Sequence, residues 1–299
     1  MNKKNTLMKR AEYINKIRVF FAARSVLEVS TPVMAKFGVT DPNIVNIQCN
    51  IGSDLQNSIR FLQTSPEYAM KKLLAMGVGS IYQICPAFRD DEATSIHRTE
   101  FTMLEWYQVN YDYHDLILEL IELLTILQPG IIVEKISYRE LFLKHIALDP
   151  LIASDERKQE LLTRHVGEID GVIDLDDAIM SLVLQPLLKS YSALVVYDYP
   201  ASQVSLAKLA PNRVTAERFE LFLAGVEVAN GFTELLDPQE QLDRFKNDNN
   251  KRKQLNLPDI AIDPTFIAAL EQGLPPCAGI AVGIERLLMA ILDCSLQDL

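Results

Sequence analysis

A chain of 299 residues, 48% of them apolar, can bury one large core or two modest ones, and its composition does not suggest disorder. Its 29 basic and 40 acidic residues leave a net charge of −11, which argues against a protein held to nucleic acid by a broad basic face while still permitting a locally positive cleft. Cys49, Cys85, Cys277 and Cys294 form no C-x-x-C pair, the histidines are scattered, and no apolar run reaches the ~20 residues of a membrane span, so the expectation is a soluble, cytoplasmic protein with reduced thiols and no zinc site or signal peptide.

From Leu7 to about Ser25, apolar residues recur at helical spacing (Ile14, Ile17, Phe20, Phe21). Leu27 to Met34 reads as a strand, which Pro32 would confine to an edge or a bulge. Gly38 to Pro42 is a turn, and Ile44 to Ile51 alternates well enough for another strand. Thr64-Ser-Pro-Glu-Tyr68 opens a helix: Ser65 suits the N-cap, Pro66 the first helical position, and Gly77 ends the segment. Glu67 therefore sits in a first helical turn, and capping alone would account for it.

Ile81 to Tyr107 holds two strands joined by RDDEATSIHRTE, a loop too long and too charged for a tight turn. Arg89 leaves the first strand where a guanidinium could clamp a phosphate by two parallel hydrogen bonds. Glu105 and Tyr107 are two apart on the returning strand and share a face, so together they could grip an ammonium group. A surface hairpin with scattered charges is the plain alternative.

Asp112 to Leu127 is an amphipathic helix stopped by Pro129-Gly130, and Ser137-Tyr-Arg-Glu140 is a capping box for the next. Residues 154 to 190 read as helical, with breaks near Gly167–Gly171 and at Pro186. No linker or repeat divides the chain, which gives one domain, 1–299, with a helical insertion at about 112–190. Extended structure returns with Ala193–Tyr199 and Pro200–Ala207, and Arg218 to Glu234 reads as two strands turning at Gly225. Glu227 and Glu234 are seven apart, so an unbroken strand would put them on opposite faces; a bulge at Asn230-Gly231 would bring both to one site. Pro238–Gln254 is a charged helix and Asp263-Pro264 caps another ending at Gly273. A strand with Gly279 and Gly283 follows, then a helix from near Ile284 with Arg286 in its first turn.

In this order the segments resemble motifs 1, 2 and 3 of the class II aminoacyl-tRNA synthetases: a helix and strand ending in Pro32, a strand-loop-strand with F-R-x-x and F-T-M-L-E-W-Y, and a terminal G-I-A-V-G-I-E-R. The lysyl branch is the nearest likeness, through T-S-P-E-Y (64–68), R-T-E-F-T-M-L-E-W-Y (98–107) and N-G-F-T-E-L (230–235). The resemblance covers essentially the whole chain. It implies an α+β catalytic fold, an antiparallel sheet flanked by helices, with no N-terminal anticodon-binding domain and so no direct reading of an anticodon. P-A-S-Q-x-S-L-A (200–207) and Ala281 resemble the shortened lysyl-type ligases that act on elongation factor P instead of tRNA.

That resemblance implies ATP and Mg²⁺ as cofactors, a lysine-type amino acid as substrate, elongation factor P as partner, and a homodimer built on the segment from about Leu7 to Met34. Arg89 would contact the α-phosphate and Arg286 the γ-phosphate, the adenine would stack on Phe101, and Asp90, Asp91, Arg98, Val228 and Gly283 fall at the other nucleotide positions. Glu227 and Glu234 would lie close to Mg²⁺. Glu105, Tyr107 and Glu234 would hold the distal ammonium of the substrate, and Ser65, Pro66 and Glu67 the end near its carboxylate. Asp91 stands where the family has glutamate and Arg98 where it has asparagine, so a salt bridge between them is one way the loop could close. A free-standing tRNA or amino-acid ligase, and a silent paralogue that only binds a partner, are the alternative readings.

Overall fold

The computed structural model describes residues 3–52, 59–90, 94, 96–168 and 174–299. The first half of the chain gives α1 (Lys3–Ala22), β1 (Leu27–Glu28), β2 (Met34–Ala35), β3 (Gln48–Asn50), β4 (Ile59–Leu62), α2 (Glu67–Ala75), β5 (Ile81–Phe88), β6 (Glu100–Val109), α3 (Tyr113–Leu127), β7 (Val133–Ser137) and α4 (Tyr138–Ile146). The second gives α5 (Asp155–Val166), α6 (Leu175–Ala178), β8 (Ala193–Tyr197), β9 (Arg218–Leu223), β10 (Val226–Thr233), α7 (Pro238–Gln254), α8 (Pro264–Gly273), β11 (Cys277–Gly283) and α9 (Ile284–Leu292). Among the described residues, eight strands form one sheet in the order β1-β5-β6-β11-β10-β9-β8-β7, antiparallel except for the outermost pairs β1/β5 and β7/β8. β2, β4 and β3 make a small antiparallel sheet beside it.

Period-two alternation sorts the large sheet into two faces. Leu104 and Trp106, Ala278, Ile280 and Val282, and Phe219, Leu221 and Leu223 point one way and pack with α1, α3 and α9 in a single core. Their alternates turn to the other face, whose two ends are covered. At one end α4, α5 and the helical turns through Leu188 pack on Leu194, Val196 and Phe222. At the other, Met70 and Leu74 of α2, Phe245 of α7 and Phe266 and Leu270 of α8 enclose Tyr107 and Cys277. The middle is left open as a cleft.

Several expectations change in detail. Leu27–Met34 is not one strand but two short ones in different sheets. Pro32 has no amide to give a ladder, and the Thr31 amide donates to the Gln83 side chain instead (3.0 Å). Only Gln48–Asn50 of the expected Ile44–Ile51 strand pairs. The stretch 112–190 contains β7, which joins the large sheet, and Pro200–Ala207 forms a 3₁₀ turn over Ala201–Gln203 rather than a strand. The Ser137–Glu140 and Asp112–Asp115 capping boxes both form. Ladder pairing of β5 with β6 continues through Pro86, opposite Thr102.

β9 and β10 are joined by the two-residue turn Ala224-Gly225, with φ of 47° and 81° as such tight hairpins require. This turn is docked: Gln185 Nε2 donates to the Gly225 carbonyl (3.1 Å), and a Cβ on Gly225 would stand 3.1 Å from the Lys189 amide nitrogen.

Candidate active site

The cleft is a cavity of about 680 Å³, within the size range of a small-molecule site. Strand register explains its floor. Phe101, Met103, Glu105 and Tyr107 of β6 lie on one face; Gly283, Ala281 and Gly279 of β11 pair with the last three, and Asn230 and Phe232 of β10 pair with Ala281 and Gly279. Glu227 reaches the same face because Val228 is an extra residue: Glu227 pairs with Phe222 and Ala229 with Leu221. The bulge is thus at Val228 and not at Asn230-Gly231, and it has the expected effect. Glu234, two residues beyond Phe232, continues that face.

One end of the cleft is basic and aromatic. Arg89 lies with its guanidinium carbon 5.5 Å from the Phe101 ring centroid, and its Nε is buried without a hydrogen-bond partner. Arg286 donates from Nη1 to the Glu227 carbonyl (2.9 Å), with Nη2 2.6 Å from His97 Nε2 and the Glu227 carboxylate 3.7 Å away. A buried, unmatched donor on Arg89 and an arginine held at a helix start suit a polyanion lying over the sheet.

The other end is acidic and closed. Tyr107 donates to Glu105 Oε1 (2.6 Å), while Glu105 Oε2 is buried without a partner. Lys71 of α2, 2% exposed, is 2.6 Å from Glu67 Oε1 and 2.5 Å from Glu234 Oε2; Glu234 Oε1 is also buried without a partner. Burial, then the neighbouring Glu67 carboxylate, hold Glu105 well above the usual carboxylate range. Burial pushes Glu234 up to about 8 against the pull of Lys71. Burial alone would lower Lys71, but Glu234 and Glu67 outweigh it, and the ammonium is held charged. Three carboxyl groups thus share one lysine, and burial keeps protons on Glu105 and Glu234 that a cation entering the pocket could replace.

Of the residues expected from the sequence, Ser65, Glu67, Arg89, Arg98, Phe101, Glu105, Tyr107, Glu227, Val228, Gly283 and Arg286 line this one cavity. Pro66 precedes α2, with the Ser65 hydroxyl accepting from the Glu67 amide (3.2 Å). Asp90 is exposed, its amide donating to the Val45 carbonyl (3.1 Å). Asp91 and Glu92 lie outside the described residues, so the salt bridge expected between Asp91 and Arg98 does too; Arg98 donates to the Leu296 carbonyl. Glu234 is paired with Lys71 at the acidic end of the cleft.

Two charged residues escaped the sequence reading. Lys71 follows Glu67 by one helical turn, a spacing that could have revealed the pair. Glu220 shares the cavity face with Arg218 and Asn230; it accepts from the Tyr199 hydroxyl (2.5 Å) and pairs with Arg218. Burial raises it to about 7, with Arg218 opposing and Glu227 adding to the rise. The alternation R-F-E at 218–220 was its signal. Among the described residues no group of three or more His, Cys, Asp or Glu is placed to hold a metal alone.

A sheet of this order, with arginines at one end of its open face and buried acids at the other, defines an enzyme of the class II synthetase type. The family of class II tRNA synthetases (D, K and N) matches residues 1–297, and the chain belongs to it. Within that family it is similar to proteins named elongation factor P–(R)-β-lysine ligase. The one from Mannheimia succiniciproducens is 42% identical, with 97% of this chain and 92% of the relative covered. The relative from Photorhabdus laumondii is 42% identical (96% and 90% covered), and that from Haemophilus influenzae strain PittGG is 42% identical (96% and 91% covered).

Proposed function

We propose that this protein activates (R)-β-lysine with ATP and transfers it to a lysine side chain of elongation factor P. The observation that carries the reading is the polarity of one cavity: an unmatched guanidinium donor on Arg89 at one end and unmatched buried carboxylate oxygens at the other. A diamino acid laid between them has its ammonium groups at Glu105, Glu234 and Glu67 and its carboxylate toward Arg89. The carboxylate oxygen attacks the α-phosphorus, and pyrophosphate leaves. No general base is required, because the nucleophile is already an anion. Arg89 stabilises charge developing at the α-phosphate, Arg286 holds the terminal phosphate, and Phe101 offers its ring to the adenine. Mg²⁺, where bound, neutralises phosphate charge, and Glu227 is the residue that would hold it. In the second step the acceptor amine attacks the carbonyl of the mixed anhydride, AMP leaves, and the nitrogen gives up a proton.

A two-fold dimer and a cytoplasmic location belong to the same reading. Leu7, Met8 and Val19 of α1 are exposed, as are Leu27 and Met34, an apolar series within the expected interface segment. Among the described residues no helix is long and apolar enough to cross a membrane. The test is pyrophosphate exchange with α-lysine and (R)-β-lysine, followed by the intact mass of elongation factor P. The expected result is exchange that depends on a diamino acid and a mass gain on the acceptor. Exchange with neither isomer would overturn the reading.

A further inference from the structure

The acidic end of the cavity holds a cation of its own. Lys71 projects from α2 into a site walled by Phe232 and Phe266, whose ring centroids are 5.5 and 6.0 Å from Nζ. It bridges Glu67 and Glu234, and among the described residues it is the one cation ion-paired with either. The tally of formal charge is simple. Once substrate ammonium groups displace the protons that burial keeps on Glu105 and Glu234, the three carboxylates Glu67, Glu105 and Glu234 bring three negative charges and Lys71 one positive, leaving two to be matched by ligand. Tyr107 and Cys277, the other titratable groups at this site, are neutral: burial, and then neighbouring carboxylates, raise both.

We propose that Lys71 is a positioning residue that sets the number of ammonium groups this pocket accepts at two. By neutralising one carboxylate it leaves two charges for substrate, and its bridge fixes Glu67 and Glu234 relative to each other while Glu234 Oε1 stays without a partner. A substrate with one ammonium leaves one buried carboxyl protonated and forgoes one of the two charged pairs, so it binds more weakly than a diamino acid. Lys71 itself touches no reacting atom. The inference deepens the function proposed above and rests on it.

The test is pyrophosphate exchange on four full-length proteins: wild type, Lys71→Met, Glu234→Gln and the double variant. Lys71→Met keeps the length of the stem and removes the charge. Its KM for the diamino acid is expected to rise on the order of thirtyfold, the range for a lost charged hydrogen bond, with the KM for ATP within about threefold. The double variant restores the balance at two charges and is expected to bind the diamino acid better than either single variant. A role confined to packing predicts the opposite, because the second substitution would then only add damage. Lys71→Met within threefold of wild type, or a double variant no better than Glu234→Gln, would overturn the inference. The comparison with Glu234→Gln decides the matter even if Lys71→Met alone does not fold. A wild type without amino-acid-dependent exchange would take down the proposed function and this inference together, whereas an active wild type with misbehaving variants would remove only the inference.

Discussion

Gly279 is the position where a single methyl group should separate the two halves of the site. It pairs with Tyr107 on one side and Phe232 on the other, in the middle of the sheet. A Cβ there would collide with Cε1 of Tyr107 and stand 2.5 Å from Glu234 Oε1, about an ångström inside ordinary contact. Neither neighbour can yield freely, because Tyr107 is bonded to Glu105 and Glu234 is paired with Lys71. Overpacking of this kind costs about 1–3 kcal/mol. If it falls on substrate binding, Gly279→Ala should raise the KM for the diamino acid between about fivefold and about 150-fold, at 1.4 kcal/mol per factor of ten. Arg89, Phe101 and Arg286 lie away from the methyl group, so the KM for ATP should move less than about twofold. Pyrophosphate exchange titrated separately in each substrate reads both numbers, and a thermal melt should fall by a few degrees. An unchanged KM for the diamino acid with an unchanged melting midpoint would refute the assignment of this end of the cavity.

Arg286→Ala should reduce adenylate formation by about 10²–10³-fold with the fold retained, since it removes a charged clamp from the phosphate end; near-normal exchange in a folded variant would remove Arg286 from that role. Asp248, which lines the cavity and accepts from Thr40 Oγ1 (2.8 Å), is raised by burial from 3.8 to about 6. Its native state holds the proton more tightly than the unfolded chain does, so its stabilising contribution is complete below about pH 3.8 and lost as pH rises through 6. Asp248→Asn cannot titrate. Urea denaturation of both proteins should therefore show their stability difference moving toward the variant by at most about 3 kcal/mol between pH 4 and pH 7, and a flat difference would contradict the shift.

The strands with regular alternation were the most legible in sequence. Glu105 and Tyr107 share a face because β6 is unbroken from Glu100 to Val109, and the helix boundaries at Pro238, Gln254, Pro264 and Ile284 follow from local capping and turn chemistry. The position of the bulge was not legible: Val228 is an apolar β-branched residue in an apolar strand, and only pairing with β9 reveals it as the extra one. Lys71 was hidden for a related reason. A lysine in a short helix reads as a solvated residue until tertiary packing closes Phe232 and Phe266 around it. The division of Leu27–Met34 between two sheets likewise depends on a long-range bond, from the Thr31 amide to Gln83.

The docked turn at Ala224-Gly225 has a mechanical consequence. A two-residue turn has no slack, and its carbonyl is fastened to Gln185 in the helical segment that caps the far end of the sheet. Glu227 follows Gly225 by two residues, and its carbonyl holds Arg286. A load applied to that helical segment, such as a large partner leaning on it, would therefore travel along a taut hairpin and be felt at the guanidinium of Arg286. Hydrogen bonds from Gln185 to Gly225 and from Arg286 to Glu227 thus tie the outer layer and the phosphate end of the cleft to one short hairpin.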